Sequence, residues 1–92
     1  MIKHIVLWRL KNKADVARVK QELEGMRGKI PGLLSLEVGV NFAENSPVDL
    51  GLYTEFTDRA ALNAYADHPV HVPVKQVVGA LVQDRWVLDY EA

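Results

Sequence analysis

Two histidines and a tyrosine lie close together between residues 65 and 71, where the chain reads Tyr-Ala-Asp-His-Pro-Val-His. An imidazole takes up or releases a proton near neutral pH, and a phenol hydroxyl can polarise a carbonyl group by donating a hydrogen bond to it. Tyr65, His68 and His71 therefore offer groups suited to acid–base chemistry on a carbonyl compound. A third histidine, His4, lies on the first predicted strand and can face the same space.

Each of these residues also has a purely structural interpretation. His68 precedes a proline and can end a helix by capping free backbone groups, while Tyr65 can be a core aromatic with its hydroxyl at the surface. For His4 on an apolar strand, a hydrogen-bonded core histidine is the commoner outcome. Three imidazoles, from His4, His68 and His71, can also hold zinc, but no carboxylate has obvious ligand spacing and cysteine is absent. We predict neither a metal nor a cofactor.

The prolines place His71 near the beginning of a helix. Pro69 disfavours helical backbone at the residue before it, so one helix ends by His68 and the next is expected to begin near Pro73. His71 then lies just before that helix or in its first turn. The positive end of the helix dipole disfavours imidazolium there, so we expect a neutral imidazole that can act as a base.

Composition limits the classes of protein to which the chain can belong. Its 92 residues suffice for one small domain, residues 1–92, and not for two independent cores. With 11 basic and 12 acidic residues, the net charge of −1 provides no long-range field for nucleic acid or an anionic membrane. The absence of cysteine excludes disulfides and thiolate chemistry. Since no segment resembles a signal peptide or a membrane span, we expect a cytoplasmic protein that binds neither nucleic acid nor membrane.

Hydrophobic periodicity predicts the elements that position these residues. Apolar side chains alternate along four segments and recur at three- and four-residue steps along the first helix. The predicted strands cover residues 3–10, 33–40, 49–56 and 82–90, and the predicted helices cover residues 14–28, 59–66 and about 73–81. Both faces of the first strand are largely apolar, which indicates a central strand.

The predicted order β-α-β-β-α-(α)-β is typical of an α+β ferredoxin-like sandwich, a βαββαβ fold with antiparallel neighbours and helices on one face of the sheet. The other face still carries apolar and aromatic side chains. A second copy of the chain would remove that surface from water, so we predict a homodimer.

Several segments resemble the stress-responsive A/B barrel (Dabb) family over nearly the whole chain. They are Lys-His-Ile-Val-Leu-Trp at residues 3–8, Ile-Pro-Gly at 30–32 with Glu-Val-Gly at 37–39, the Tyr-x-x-His-Pro-x-His stretch, and Val-Leu-Asp-Tyr at 87–90. The resemblance implies a ferredoxin-like subunit whose sheet packs on a partner's sheet to form a dimeric α/β barrel.

The resemblance also implies roles for the candidate residues. A plant polyketide cyclase of this family performs a cofactor-free aldol condensation, and its acid/base tyrosine and histidine match Tyr65 and His71. A pocket histidine on its first strand matches His4. Leucines, Leu50 and Leu23, stand near the positions of a second pocket histidine and a pocket tyrosine of that cyclase. Tyr65, His71 and His4 are accordingly our predicted catalytic residues.

Three hypotheses for function follow. The protein binds a small apolar or carbonyl ligand between sheet and helices, in the stress response, without catalysis. Alternatively, it is a cofactor-independent cyclase, lyase or isomerase, with His71 as base, Tyr65 as hydrogen-bond donor and His4 orienting the substrate. A monooxygenase acting on heme or a quinol is a third hypothesis, from analogy of fold alone. Most members of the family have no assigned activity.

Overall fold

Four strands and three α-helices follow one another in the order that the sequence predicts. The computed structural model describes residues 1–92. The strands are β1 (Ile2–Leu10), β2 (Leu33–Val40), β3 (Leu50–Phe56) and β4 (Val82–Glu91), and the helices are α1 (Val16–Glu24), α2 (Arg59–Ala66) and α3 (His71–Leu81). None of the helices is both long enough and apolar enough to span a membrane.

The strands form one antiparallel sheet in the order β2-β3-β1-β4. This order confirms the predicted ferredoxin-like α+β fold, in which β1 and β3 are the central strands. Residue His4 of β1 is paired with Thr54 of β3 on one side and with Asp89 of β4 on the other. Because side chains alternate between the two faces of a strand, this register determines which residues of β1 and β4 share a face.

The hydrophobic core lies between one face of the sheet and the helices. On β1 the side chains of His4, Val6, Trp8 and Leu10 are all buried there, as the alternating pattern predicts. Phe56 at the end of β3 is also fully buried. We call this side of the sheet the helix face and the other side the open face.

Helix α1 is shorter than the predicted range of residues 14–28. Its apolar stripe is confirmed, with Val19, Leu23 and Met26 buried. Beyond Glu24 the amides of Met26 and Arg27 bond to carbonyls three residues back instead of four, so the helix tightens into turns. At the other end, residues 13–15 form a 3-10 turn in place of α-helix.

Strand β2 departs from simple alternation at its first residues. The pairing with β3 shifts between Leu33 and Ser35, which leaves Leu34 as an extra residue in a β-bulge. Leu33 consequently packs on the core, while Leu34 is 56% exposed. Simple alternation would place Leu34 on the covered face with Leu36, and the bulge prevents this. Val40 lies at the far end of the strand and is half-exposed.

Helix α3 begins at His71, two residues before the predicted start near Pro73. The first amides of a helix have no intrahelical partner, so a proline in the first turn removes no hydrogen bond. His71 is thus the first helical residue.

The open face carries a group of apolar side chains in partial contact with solvent. Trp86 is 42%, Leu88 56%, Tyr90 41% and Leu7 37% exposed. The register of β1 and β4 pairs Leu7 with Trp86 and Ile5 with Leu88, so these residues adjoin one another. A single subunit therefore leaves a contiguous apolar surface on this side of the sheet.

We expect Trp8→Ala to lower the free energy of unfolding by about 3–5 kcal/mol, because it leaves a cavity among buried side chains. Denaturant unfolding measures the change. Phe42→Ala is the control, since Phe42 is 98% exposed and its truncation removes no core contact. A loss below about 1 kcal/mol for Trp8→Ala would contradict its place in the core.

Candidate functional site

One cavity between the helix face and helices α2 and α3 brings the three predicted site residues together. Its volume is about 530 Å³, which is within the range of small-molecule sites. His4, Tyr65 and His71 line it together with apolar side chains such as Val74 and Val78. We call it the central cavity.

Tyr65 and His71 meet because a tight turn joins the last residues of α2 to the first of α3. The side chain of Asp58 accepts a hydrogen bond from the Ala61 amide at 2.8 Å and so caps the start of α2. In the turn, the amide of His71 donates to the His68 carbonyl at 2.9 Å. The rings of Tyr65 and His71 consequently stack, with centroids 3.9 Å apart and planes inclined by 23°.

His68 stabilises this turn and does not line the central cavity. Its Nδ1 accepts a hydrogen bond from the Val70 amide at 3.0 Å, so the imidazole caps a backbone group. No group of three or more histidine and carboxylate side chains is arranged to hold a metal ion. The alternative in which His4, His68 and His71 share a zinc ion therefore has no support in the geometry.

The hydrogen bond of His71 determines which ring nitrogen can act as a base. Its Nδ1 lies 3.2 Å from the carbonyl oxygen of Ala66, at the end of α2. Because a carbonyl oxygen only accepts hydrogen bonds, Nδ1 carries the proton of the neutral ring. The lone pair is then on Nε2, so a proton taken from a ligand would go to Nε2.

Burial lowers the pKa of His71 below its ordinary value of 6.5, and the charge of Lys75 lowers it further, against the hydrogen bond to Ala66. The direction agrees with the expectation of a neutral imidazole. The principal cause is desolvation of the ring, however, and not the helix dipole from which we predicted it.

Burial has the opposite consequence for the phenol beside it. Desolvation raises the pKa of Tyr65 to about 12, while the positive charge of Arg85 acts to lower it. The hydroxyl is therefore protonated at neutral pH and is a hydrogen-bond donor. Tyr65 also packs against His4, with ring centroids 6.1 Å apart, and against Phe56 at 5.1 Å.

His4 is held by a carboxylate from the other end of the chain. Its Nδ1 contacts the Oδ1 of Asp89, its register partner on β4, in a direct hydrogen bond. A carboxylate oxygen accepts, so Nδ1 donates and the orientation of the ring is fixed. His4 is buried, as predicted for an apolar strand face, and it nevertheless lines the central cavity.

Three charged residues of the central cavity were missed by sequence reasoning, namely Asp89, Arg85 and Lys75. A usable signal existed for Asp89. In the predicted fold the first and last strands are antiparallel neighbours, which puts a residue near the end of the last strand opposite His4. Arg85 and Lys75 carry no such signal, since a lone cation on an alternating strand or on a helix surface is ordinary.

The arrangement combines a neutral imidazole with an available lone pair and a protonated phenol stacked on it. A carbonyl ligand in the central cavity would find a hydrogen-bond donor for its oxygen in Tyr65 and a base for an adjacent C–H proton in His71. Apolar side chains beside both groups lower the local polarity and so strengthen each polar contact.

The model of the stress responsive A/B barrel (Dabb) domain family matches residues 2–92. The chain belongs to this family. Comparison with curated protein sequences gave no match. The family match agrees with the resemblance seen in the sequence and covers the strand with His4, the Tyr-x-x-His-Pro-x-His stretch and the strand with Asp89.

Solved structures share the Dabb subunit fold. A dimeric protein of unknown function and ferredoxin-like fold from Bacteroides fragilis has a TM-score of 0.88 and 31% identity, covering 99% of this chain and 95% of that one. A dimeric ferredoxin-like protein of unknown function from Jannaschia sp. has a TM-score of 0.85 and 28% identity, covering 99% and 98%. The hydroxynitrile lyase of Passiflora edulis has a TM-score of 0.83 at 13% identity, covering 97% and 90%, and shows similarity of fold alone.

We expect the imidazole of His71 to titrate below pH 6.5 in an NMR experiment. Since its folded pKa is lowered, the unfolded chain binds a proton at pH values where the folded protein does not. The free energy of unfolding should therefore fall as the pH drops from 6.5 towards the folded pKa, and His71→Leu should remove this part of the pH dependence. A His71 ring that is protonated at about pH 7.5 would contradict the analysis.

Proposed function

We propose that this Dabb protein binds a small apolar carbonyl compound in the central cavity, as a homodimer acting in the stress response. The observation that carries the proposal is the position of the Tyr65 hydroxyl. It belongs to a buried ring that lines the cavity, and no hydrogen bond contributes to its raised pKa. A protonated donor among apolar side chains favours a ligand that places an acceptor oxygen beside an apolar body.

The rest of the lining supports the same class of ligand. Val6, Trp8, Leu23 and Val74 contribute apolar surface to the central cavity. Leu23 stands where the resemblance to the polyketide cyclase implies a pocket tyrosine. The cavity of this chain is thus less polar in that region, which favours an aliphatic ligand over a polyphenolic one.

The homodimer part of the proposal rests on the open face. A second copy packed there would bury the apolar group that includes Trp86, Leu88 and Leu7. The similar proteins from Bacteroides fragilis and Jannaschia sp. are dimeric. A small domain buries a smaller fraction of its surface on folding than a large one, so covering an apolar face adds proportionally more to its stability.

A second candidate function is cofactor-independent catalysis as a cyclase, lyase or isomerase. The stacking of Tyr65 and His71, with ring centroids 3.9 Å apart, favours it. The imidazole base and the phenol donor can then contact adjacent atoms of one ligand. In this reaction His71 Nε2 takes a proton from the carbon next to the carbonyl. The electron pair moves to the carbonyl oxygen, which the Tyr65 hydroxyl stabilises, while His4, held by Asp89, orients the substrate.

Binding of nonan-2-one tests the ligand proposal. We expect the ring resonances of His4 and His71 to shift on addition of the ketone. Tyr65→Phe should weaken binding about 2- to 10-fold, as expected for the loss of one hydrogen bond. Tyr53→Phe is the matched control, because it makes the same change at a tyrosine that lies outside the cavity and donates to Glu55.

The same sample separates binding from catalysis. If the protein is catalytic, deuterium exchange at the carbons beside the carbonyl accelerates, and His71→Leu reduces this rate about 100-fold or more. Binding without exchange supports the non-catalytic function. No resonance shift at either histidine would contradict the ligand proposal.

We expect light scattering at micromolar concentration to give the mass of a dimer. Leu88→Glu should shift the protein towards the monomer, because it would bury a carboxylate without a partner. Leu34→Glu is the control, since Leu34 is equally exposed at 56% but lies in the bulge at the opposite edge of the sheet. A monomeric mass for the unaltered protein would overturn the proposed dimer.

A further inference from the structure

The lining of the central cavity includes a solvent-exposed arginine, Arg85, that the proposed carbonyl chemistry does not use. Arg85 lies on β4 opposite Trp8, and both residues line the cavity. The ion pairs of the chain are His4–Asp89, Arg9–Asp84 and Arg59–Glu91, so Arg85 has no carboxylate partner.

The charges around the cavity favour an anion. Lys75 also lines it, and its only hydrogen bond is to the backbone carbonyl of Ala66 at 3.1 Å. The one acidic side chain of the lining, Asp89, is engaged by His4. Two cations therefore face a single carboxylate that already has a partner.

The positive charge of Arg85 acts on Tyr65, one of the candidate site residues. It acts to lower the pKa of Tyr65, so the two groups share one electrostatic environment. Along β4, Arg85 is four residues from Asp89, a distance of about 13 Å between α-carbons. The strand thus separates Arg85 from the His4–Asp89 pair, and we call these two parts of the lining the two ends of the cavity.

We propose that the ligand of the central cavity is an oxo acid, with its carboxylate bound by Arg85 and its carbonyl oxygen bound by Tyr65. This inference rests on the proposed function and specifies its ligand. The planar guanidinium fork matches the two oxygens of a carboxylate, and the apolar side chains between the two ends match an aliphatic chain. Lys75 adds a second positive charge beside the cavity.

The test compares 8-oxononanoate with its methyl ester, which keeps the ketone and the chain but lacks the charge. Dissociation constants are followed through the ring resonances of His4 and His71, which localise binding to the cavity. We expect the acid to bind the unaltered protein about tenfold or more tightly than the ester, the effect of a charge-assisted hydrogen-bonded pair.

Arg85→Met should remove most of the difference in affinity between the acid and the ester and leave the ester unaffected, because methionine keeps an apolar stem and loses only the charge. Arg85→Lys should retain part of the difference, since an ammonium lacks the bidentate fork. Arg18→Met is the matched control, because Arg18 is exposed on α1 and does not line the cavity.

Four outcomes would overturn the inference. Equal affinities for acid and ester, or an acid affinity unchanged by Arg85→Met, would show that Arg85 merely covers apolar surface, and ester binding would leave the proposed function intact. If neither compound binds, the proposed function fails and the inference fails with it. Tighter, Arg85-dependent binding of the corresponding 8-oxononyl phosphate would assign the anion site to a phosphate monoester.

Discussion

The antiparallel pairing of β1 with β4 is the constraint on which the candidate site depends. It joins the two ends of the chain and aligns Asp89 with His4 and Arg85 with Trp8. A slip of β4 by one residue would turn Asp89 and Arg85 to the opposite face of the sheet. Packing of Val82, at the start of β4, on the hydrophobic core opposes such a slip. The hydrophobic core therefore fixes the polar geometry of the cavity.

Burial also gives the stacked pair its chemical character. The same loss of hydration that raises the pKa of Tyr65 to about 12 lowers the pKa of His71, because desolvation disfavours the charged form of either group. Both rings are consequently neutral near pH 7, with the proton on the phenol and a lone pair on the imidazole. The turn at residues 67–70 holds the rings together and connects them to the backbone of both helices.

The fold could be predicted from the sequence largely because alternation and helical periodicity report directly on burial. The double-sided apolar pattern of β1 correctly indicated a central strand, and the proline at position 69 correctly separated the last two helices. Prediction was less successful where local hydrogen bonding determines the backbone conformation. Examples are α1, which ends earlier than predicted, and the bulge at Leu34. Residues His4, Tyr65 and His71 could be selected by type and motif. The role of Asp89 could be inferred only from its place opposite His4 in the predicted fold, and Arg85 gave no signal, because a lone cation on an alternating strand is ordinary.

A crystal structure of the protein grown with nonan-2-one would test the central claim most directly. Our account predicts density for the ketone in the central cavity, with its oxygen about 2.6–3.2 Å from the Tyr65 hydroxyl and its adjacent carbon facing His71 Nε2. A cavity closed by side chains, with the Tyr65 hydroxyl bonded to the backbone and no ketone bound, would contradict it. The histidines and the tyrosine would then serve only the stability of the fold.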